Sequence, residues 1–322
     1  MVDEVNTAAP REGHAVSDLT RTGTLLQEVF GLPGLGRTDY LQWLYHDSPE
    51  GKAVQVNLDD EKGLRLAHYA IVPQTYHHQG QRRRLALSLN TAVAEPARGR
   101  GVFSRLGEET YQKGWAREGL GGVVGVANSN STPGFVGRLK FRLLGPLPVR
   151  VGIIPPLSSK AVISRPVTSE WLAGDEAKAI LSRADLSPDR LWSQHWTPAK
   201  ISWRLARPRG RYWVHHDQTG LMVTRVEPFH GLKVVVVLKI WPLKNCPLVR
   251  TGRLLRVACA AHGTPFFLYA GFNARARVRG LPVPRRLLPQ PLNLIYRQIN
   301  PQAPAQDEFR LSVFEFLDFD AY

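Results

Sequence analysis

Leu85, Leu87, Leu89, Thr91 and Val93 recur with a period of two, the spacing of a strand that buries one face. Pro96 closes that run, Arg98-Gly99-Arg100-Gly101 follows, and Val102, Phe103, Leu106 and Tyr111 return at helical spacing. The pattern predicts a strand, a basic glycine turn and a helix. Ahead of them it predicts a helix through Leu25, Leu26, Val29 and Phe30, stopped by Gly31-Leu32-Pro33-Gly34. A second helix begins near Thr38 and carries Tyr40, Leu41, Trp43 and Leu44, and a hairpin of 53–58 and 64–72 turns through Asp59-Asp60-Glu61-Lys62-Gly63. Behind the turn come a short apolar strand at 121–126, a polar loop at Asn128-Ser129-Asn130-Ser131 and a helix at 133–141.

The series then recurs. Thr197-Pro198 offers an N-cap with proline at the first helical position, opening a helix through Ile201, Trp203 and Leu205. Strands follow at 211–216, 221–226 and 233–240, and a helix at 248–262. No basic glycine turn precedes that last helix; Trp241-Pro242-Leu243-Lys244-Asn245-Cys246-Pro247 stands in its place. A short strand at 294–298 and a terminal strand at 310–319 complete the chain. The expected division is an N-terminal arm at 1–17, a domain at 18–157, a linker at 158–169 and a second domain at 170–322.

A glycine turn at a helix mouth presents unpaired backbone N–H groups at the positive end of the helix dipole, which suits a pyrophosphate. On its own, such a turn is more often a solvated loop. No Lys-Ser or Lys-Thr pair follows the glycines, so this is not a Walker motif, and G-x-G-x-x-G is absent.

The stretch resembles the acyl-CoA site of the GNAT acyltransferase superfamily, where a strand is followed by [QR]-x-x-G-x-[GA] and a helix. Arg98, Gly101 and Phe103 occupy the three defined positions, and Phe103 departs from the usual Gly or Ala. A bulky side chain there must turn toward the core if the backbone is to receive phosphates. The resemblance implies an α/β (α+β) fold with a mixed sheet flanked by helices. It also implies an N-terminal catalytic copy and a degenerate second GNAT-like copy framing the acceptor, as in tandem proteins resembling sugar N-acyltransferases. Acyl-CoA is the implied co-substrate, with contacts at Thr91, Val93, Arg98, Gly99, Arg100, Gly101, Val102, Phe103, Ser104, Asn128 and Ser131. Backbone N–H near Ala92 or Val93 would meet the oxyanion. A tyrosine acid, common in the family, cannot be carried over, because Val136 holds the matching position.

The candidates for a base are His46, His68, His77, His78, Glu95, Asp318 and Asp320. His77 and His78, in a loop expected near the domain junction, are the first choice. Direct attack with the proton lost to water needs no base.

Charge changes the picture of the acceptor. Forty-two Lys and Arg against 27 Asp and Glu give +15, which leaves phosphorylated small molecules, CoA, nucleic acid and anionic membranes as partners. Arg204 and Trp213 are the expected acceptor contacts, and a nucleotide-linked amino sugar is the expected amine, with an aminoglycoside-like or peptide amine behind it. A nucleic-acid-binding protein using the arginine clusters, without RNP, helix-turn-helix or zinc pattern, and a silent acyl-CoA sensor are the competing readings. Cys246 and Cys259 lack zinc or redox spacing, so no metal is expected. No run of about 18 apolar residues occurs and Met1–His14 is no signal peptide, so a cytoplasmic monomer or homodimer off the membrane is expected.

Overall fold

The structure, a computed structural model, describes residues 12–288, 290–303 and 305–320. Residues 1–11 of the expected arm lie outside them, and 12–17 belong to helix α1 (Glu12–Phe30). Period-two alternation produces an antiparallel meander of β1 (Val54–Asp59), β2 (Arg65–His78) and β3 (Gln81–Val93). The hairpin arm predicted to end at 72 runs on to His78.

Helix α2 (Thr38–Tyr45) precedes the meander, and helix α3 (Val102–Glu118) links β3 to a parallel strand, β4 (Gly122–Ala127). One sheet face takes α3, burying Val102, Leu106 and Tyr111 with Ile71, Val123 and Ile295. α3 lies close because a Cβ on Gly107 would stand 2.9 Å from Leu139 Cδ2, and one on Gly114 2.9 Å from Ile71 Cδ1. The other face takes α1 and α2, with Leu25, Leu26, Tyr40 and Leu44 against Ala70, Val72 and Ala92.

The second half builds a second sheet in the same order. Trp213–His216, Gly220–Phe229 and Leu232–Pro242 form its meander; helix Gly252–His262 then leads to Phe266–Asn273, parallel to the third strand. The sheets exchange strands. Asn293–Gln298, from the back half, inserts between β4 and Arg142–Pro146 in the first sheet, while Val149–Ile153, from the front half, pairs with Phe266–Asn273 in the second. The division expected at 158–169 therefore does not separate the sheets. That segment itself carries an edge strand of the second sheet, Ile163–Pro166.

Three other elements shrink. The helix expected at 133–141 is a single wide turn, Gly134–Arg138, and the terminal strand is Val313–Glu315 followed by a short turn at 316–318. The helix expected from 248 starts at Gly252.

Candidate functional site

β3 and β4 pair only at Ala86–Val123, Leu87–Val124 and Ser88–Gly125. Beyond Ser88 they part. β3 bulges there against β2, where Ala70 faces Leu89 and His68 faces Ala92, and Asn90 takes φ 52°, a left-handed value that asparagine tolerates. The edge from Leu89 to Val93 has no β4 partner.

At the end of that edge the turn opens α3. Gly101 is its N-cap at φ 71°, and Arg98, Gly99, Arg100 and Gly101 are exposed. Among the described residues the backbone N–H groups of Gly101, Val102, Phe103 and Ser104 find no acceptor. A Cβ on Gly99 or Gly101 would meet nothing within 4 Å, so the space in front of these amides is open. The Phe103 ring turns inward, 5.9 Å from Tyr69 and 5.3 Å from Phe135. Arg98 Nε donates to Val93 O at 3.0 Å and so fastens the turn to the strand end. An acyl-CoA diphosphate fits this cradle: the donors are free, the wall is glycine and the side chains around it are cationic.

Asn128 and Ser131 follow β4, but their polar atoms serve the loop. Asn128 Oδ1 accepts from the backbone N–H of Asn130 and Ser131 at 3.0 and 2.9 Å, and from Ser131 Oγ at 3.0 Å.

His77 and His78 are elsewhere. They pair with Arg82 and Gln81, roughly 35 Å of extended chain from Val93. His77 Nε2 meets His195 Nδ1 at 2.7 Å, and His78 stacks on Trp192 at 4.3 Å. The pair joins the two halves and is too distant to serve as the base. Arg204 is also withdrawn from the acceptor: it is 1% exposed, donates to Asp320 Oδ1 at 3.0 Å and lies 4.8 Å over the Trp203 ring. Trp213 sits on the second sheet beside His215 and His262.

His68, opposite Ala92, is at the splay but fully buried. Its Nε2 meets the Tyr45 hydroxyl at 2.9 Å and its Nδ1 the Asn57 side-chain amide at 2.6 Å. Burial, followed by the Arg65 charge, lowers its pKa to about 3, so the ring is neutral. Burial holds the Tyr45 hydroxyl far above its usual value.

A cavity of about 420 Å³ opens beside the splay, walled by Leu89 and Asn90 of β3, Leu35, Tyr40, Arg207 and Asp320. Tyr40 donates to Asp320 Oδ2 at 2.8 Å, and Arg207 stands 3.5 Å from Oδ1. Of these residues only Asp320 and Arg207 carry a sequence signal of charge. Asn90 carried another: a turn-forming residue inside a run of strand formers.

The second sheet repeats the splay and fills it. Leu232–Pro242 and Phe266–Asn273 pair only at Val235–Val237 with Phe267–Tyr269. Past that point Asn273 Nδ2 donates to Ile240 O at 3.0 Å, and Glu315 Oε2 accepts from Ile240 N at 3.4 Å. Lys239 Nζ binds Glu315 at 3.1 Å and Asp318 at 2.7 Å. The groove that a cofactor would use in this copy holds the protein's own side chains.

No family model and no curated protein matches the sequence. Solved structures do match the fold. An Enterococcus faecalis protein titled a probable N-acyltransferase aligns at TM-score 0.57 and 13% identity, over 88% of this chain and 70% of that one. A GCN5-related N-acetyltransferase from Kribbella flavida aligns at 0.56 and 17%, over 88% and 69%. Saccharomyces cerevisiae N-myristoyltransferase with bound myristoyl-CoA aligns at 0.55 and 10%, over 89% and 81%. Among the described residues no helix is long and apolar enough to cross a membrane, and no three His, Cys, Asp or Glu group to hold a metal ion. With its parted parallel strands and glycine-mouthed helix, the chain has the fold of the GNAT acyltransferase superfamily.

Proposed function

We propose that this chain is an acyl-CoA-dependent N-acyltransferase acting on a small amine by direct attack in a ternary complex. The observation that carries the reading is the coincidence of an unpaired β3 edge with the unpartnered amides of Gly101 to Ser104. The myristoyl-CoA bound to the yeast neighbour of like fold supports the choice of co-substrate. When bound, acyl-CoA supplies a thioester carbonyl open to attack by an amine.

The chain's own residues hold and orient. Amides at the α3 mouth would bind the diphosphate, with Arg98 and Arg100 beside them, and the Leu89–Val93 edge would pair with the pantetheine amides. Backbone N–H groups of that edge would face the carbonyl oxygen. The amine would enter through the cavity lined by Asn90 and Tyr40. Asp320 has its oxygens committed to Arg204, Arg207 and Tyr40, so the amine proton leaves to water through the open cleft.

Calorimetric titration with acetyl-CoA tests the reading. Gly101→Glu sets a carboxylate before the cradle, and no atom obstructs it. A side chain on the left-handed backbone at φ 71° costs about 1–2 kcal/mol, so circular dichroism checks the fold and Gly101→Ala controls for the strain. Acetyl-CoA affinity should fall beyond detection in Gly101→Glu and only in part in Gly101→Ala. Unchanged affinity in Gly101→Glu would overturn the site. Release of free thiol on adding an amine separates an enzyme from a silent sensor.

A further inference from the structure

We infer that the amine acceptor also carries an oxyanion group, a phosphate or a carboxylate, recognised by Arg37, Arg207, Arg209 and Arg225 at the outer end of the cleft. This rests on the acyltransferase reading of the same cleft. A second cavity, of about 310 Å³, adjoins the one beside the splay, and both are walled by Pro33, Gly34, Tyr40 and Arg207. Arg37, Arg209 and Arg225 complete the outer one.

The carboxylates nearby do not use up Arg37 and Arg207. Arg37 pairs with Asp39, Arg225 with Glu227, and Arg207 shares Asp320 with Arg204. A guanidinium has five N–H donors, and one carboxylate engages two at most. Arg37 Nε is buried and finds no acceptor. Arg209 takes no hydrogen bond or ion pair among the described residues, and its backbone stands at φ 58° on the loop that forms the wall.

Both ends of the path thus have a chemistry. The inner end, at Leu89 and Asn90, borders the unpaired β3 edge where acyl transfer is proposed. The outer end presents planar cationic donors, which match phosphate or carboxylate oxygens in pairs. A polycationic amine would set like charges against Arg37 and Arg209, so the aminoglycoside-like acceptor is disfavoured.

The test titrates inorganic pyrophosphate into full-length protein saturated with CoA, so that the α3 mouth is occupied. Binding is expected, weakened about tenfold or more by the double variant Arg37→Ala/Arg209→Ala and unaffected by Arg117→Ala at the far end of α3. Arg209→Glu, exposed and remote from the core, repeats the test should the double variant fail to fold. Absent binding, or binding unchanged in these variants, overturns the anion site.

Thiol release from acetyl-CoA then compares phosphoethanolamine with ethanolamine and an α-amino acid with its amide. A preference for the acidic member of the first pair identifies phosphate, and of the second, carboxylate. No preference in either pair overturns the assignment to the acceptor. Should acetyl-CoA itself not bind, the acyltransferase reading fails, and the pyrophosphate titration without CoA still judges the arginine cluster.

Discussion

Asn90 Nδ2 donates to the Tyr45 hydroxyl across 3.2 Å, tying the bulge of β3 to the last residue of α2. Through Tyr45 the line continues to His68 and Asn57. The backbone at φ 52° that walls the cleft is thus held from beneath by a buried polar chain.

Tyr45→Phe removes the shared hydroxyl and leaves Asn90 and His68 each a partner short, a loss of about 1–3 kcal/mol. Urea denaturation should show it, and turnover should fall more than acetyl-CoA affinity, because the bulge rather than the cradle is loosened. Asn90→Gly, which accepts the left-handed backbone, should retain more activity than Asn90→Ala. Equal losses in the two would mean that the backbone conformation is immaterial.

Acid should weaken the fold. His68 and His215 are each lowered from 6.5 to about 3, in both cases chiefly by burial. The unfolded chain binds a proton at each below about 6.5, and the folded chain does not until about 3. Their contribution is complete above pH 6.5 and is lost as pH falls toward 3, at about 1.4 kcal/mol per pH unit for each ring. Urea midpoints at pH 7 and pH 5 measure this, and His68→Gln should flatten the slope by one proton.

Lys239→Met strands Glu315 and Asp318, both fully buried, and should cost about 3–5 kcal/mol at pH 7. Burial raises the Glu315 carboxyl above its ordinary value, so protonation eases the strain and the penalty should shrink toward pH 5. Lys239→Met/Glu315→Gln should recover part of the loss. A thermal melt that leaves Lys239→Met level with the wild type would deny the network any weight.

A fragment of residues 18–157 lacks the strand Asn293–Gln298, so the outer edge of β4 is bare from Gly122 to Ala127. It should show no cooperative unfolding transition by circular dichroism, and adding residues 158–322 as a separate chain should restore one. A sharp transition in the fragment alone would contradict the exchange.

The glycine turn at the mouth of α3 is legible because its parts are neighbours in the chain. Arg98 to Ser104 need only a local turn, and Gly101 supplies the left-handed cap that such a turn requires. From sequence His77 reads as a loop residue, because Gln74, Thr75 and His77 look like a polar loop. They form a strand because the back half covers them, with Ser193–Gln194 pairing to Tyr76 and His77. Arg204 looked like a free cation for the same reason: the carboxylate that takes it, Asp320, is 116 residues away. Periodicity describes one face of one element, and nothing in it says which distant segment docks there.

The traded strands also set a timetable. During synthesis β4 emerges long before Asn293–Gln298, and until that later segment clears the ribosome the front sheet has a vacancy between β4 and Arg142–Pro146. The front half cannot mature first and wait for its neighbour; both halves must ripen together, once Asn293–Gln298 is made.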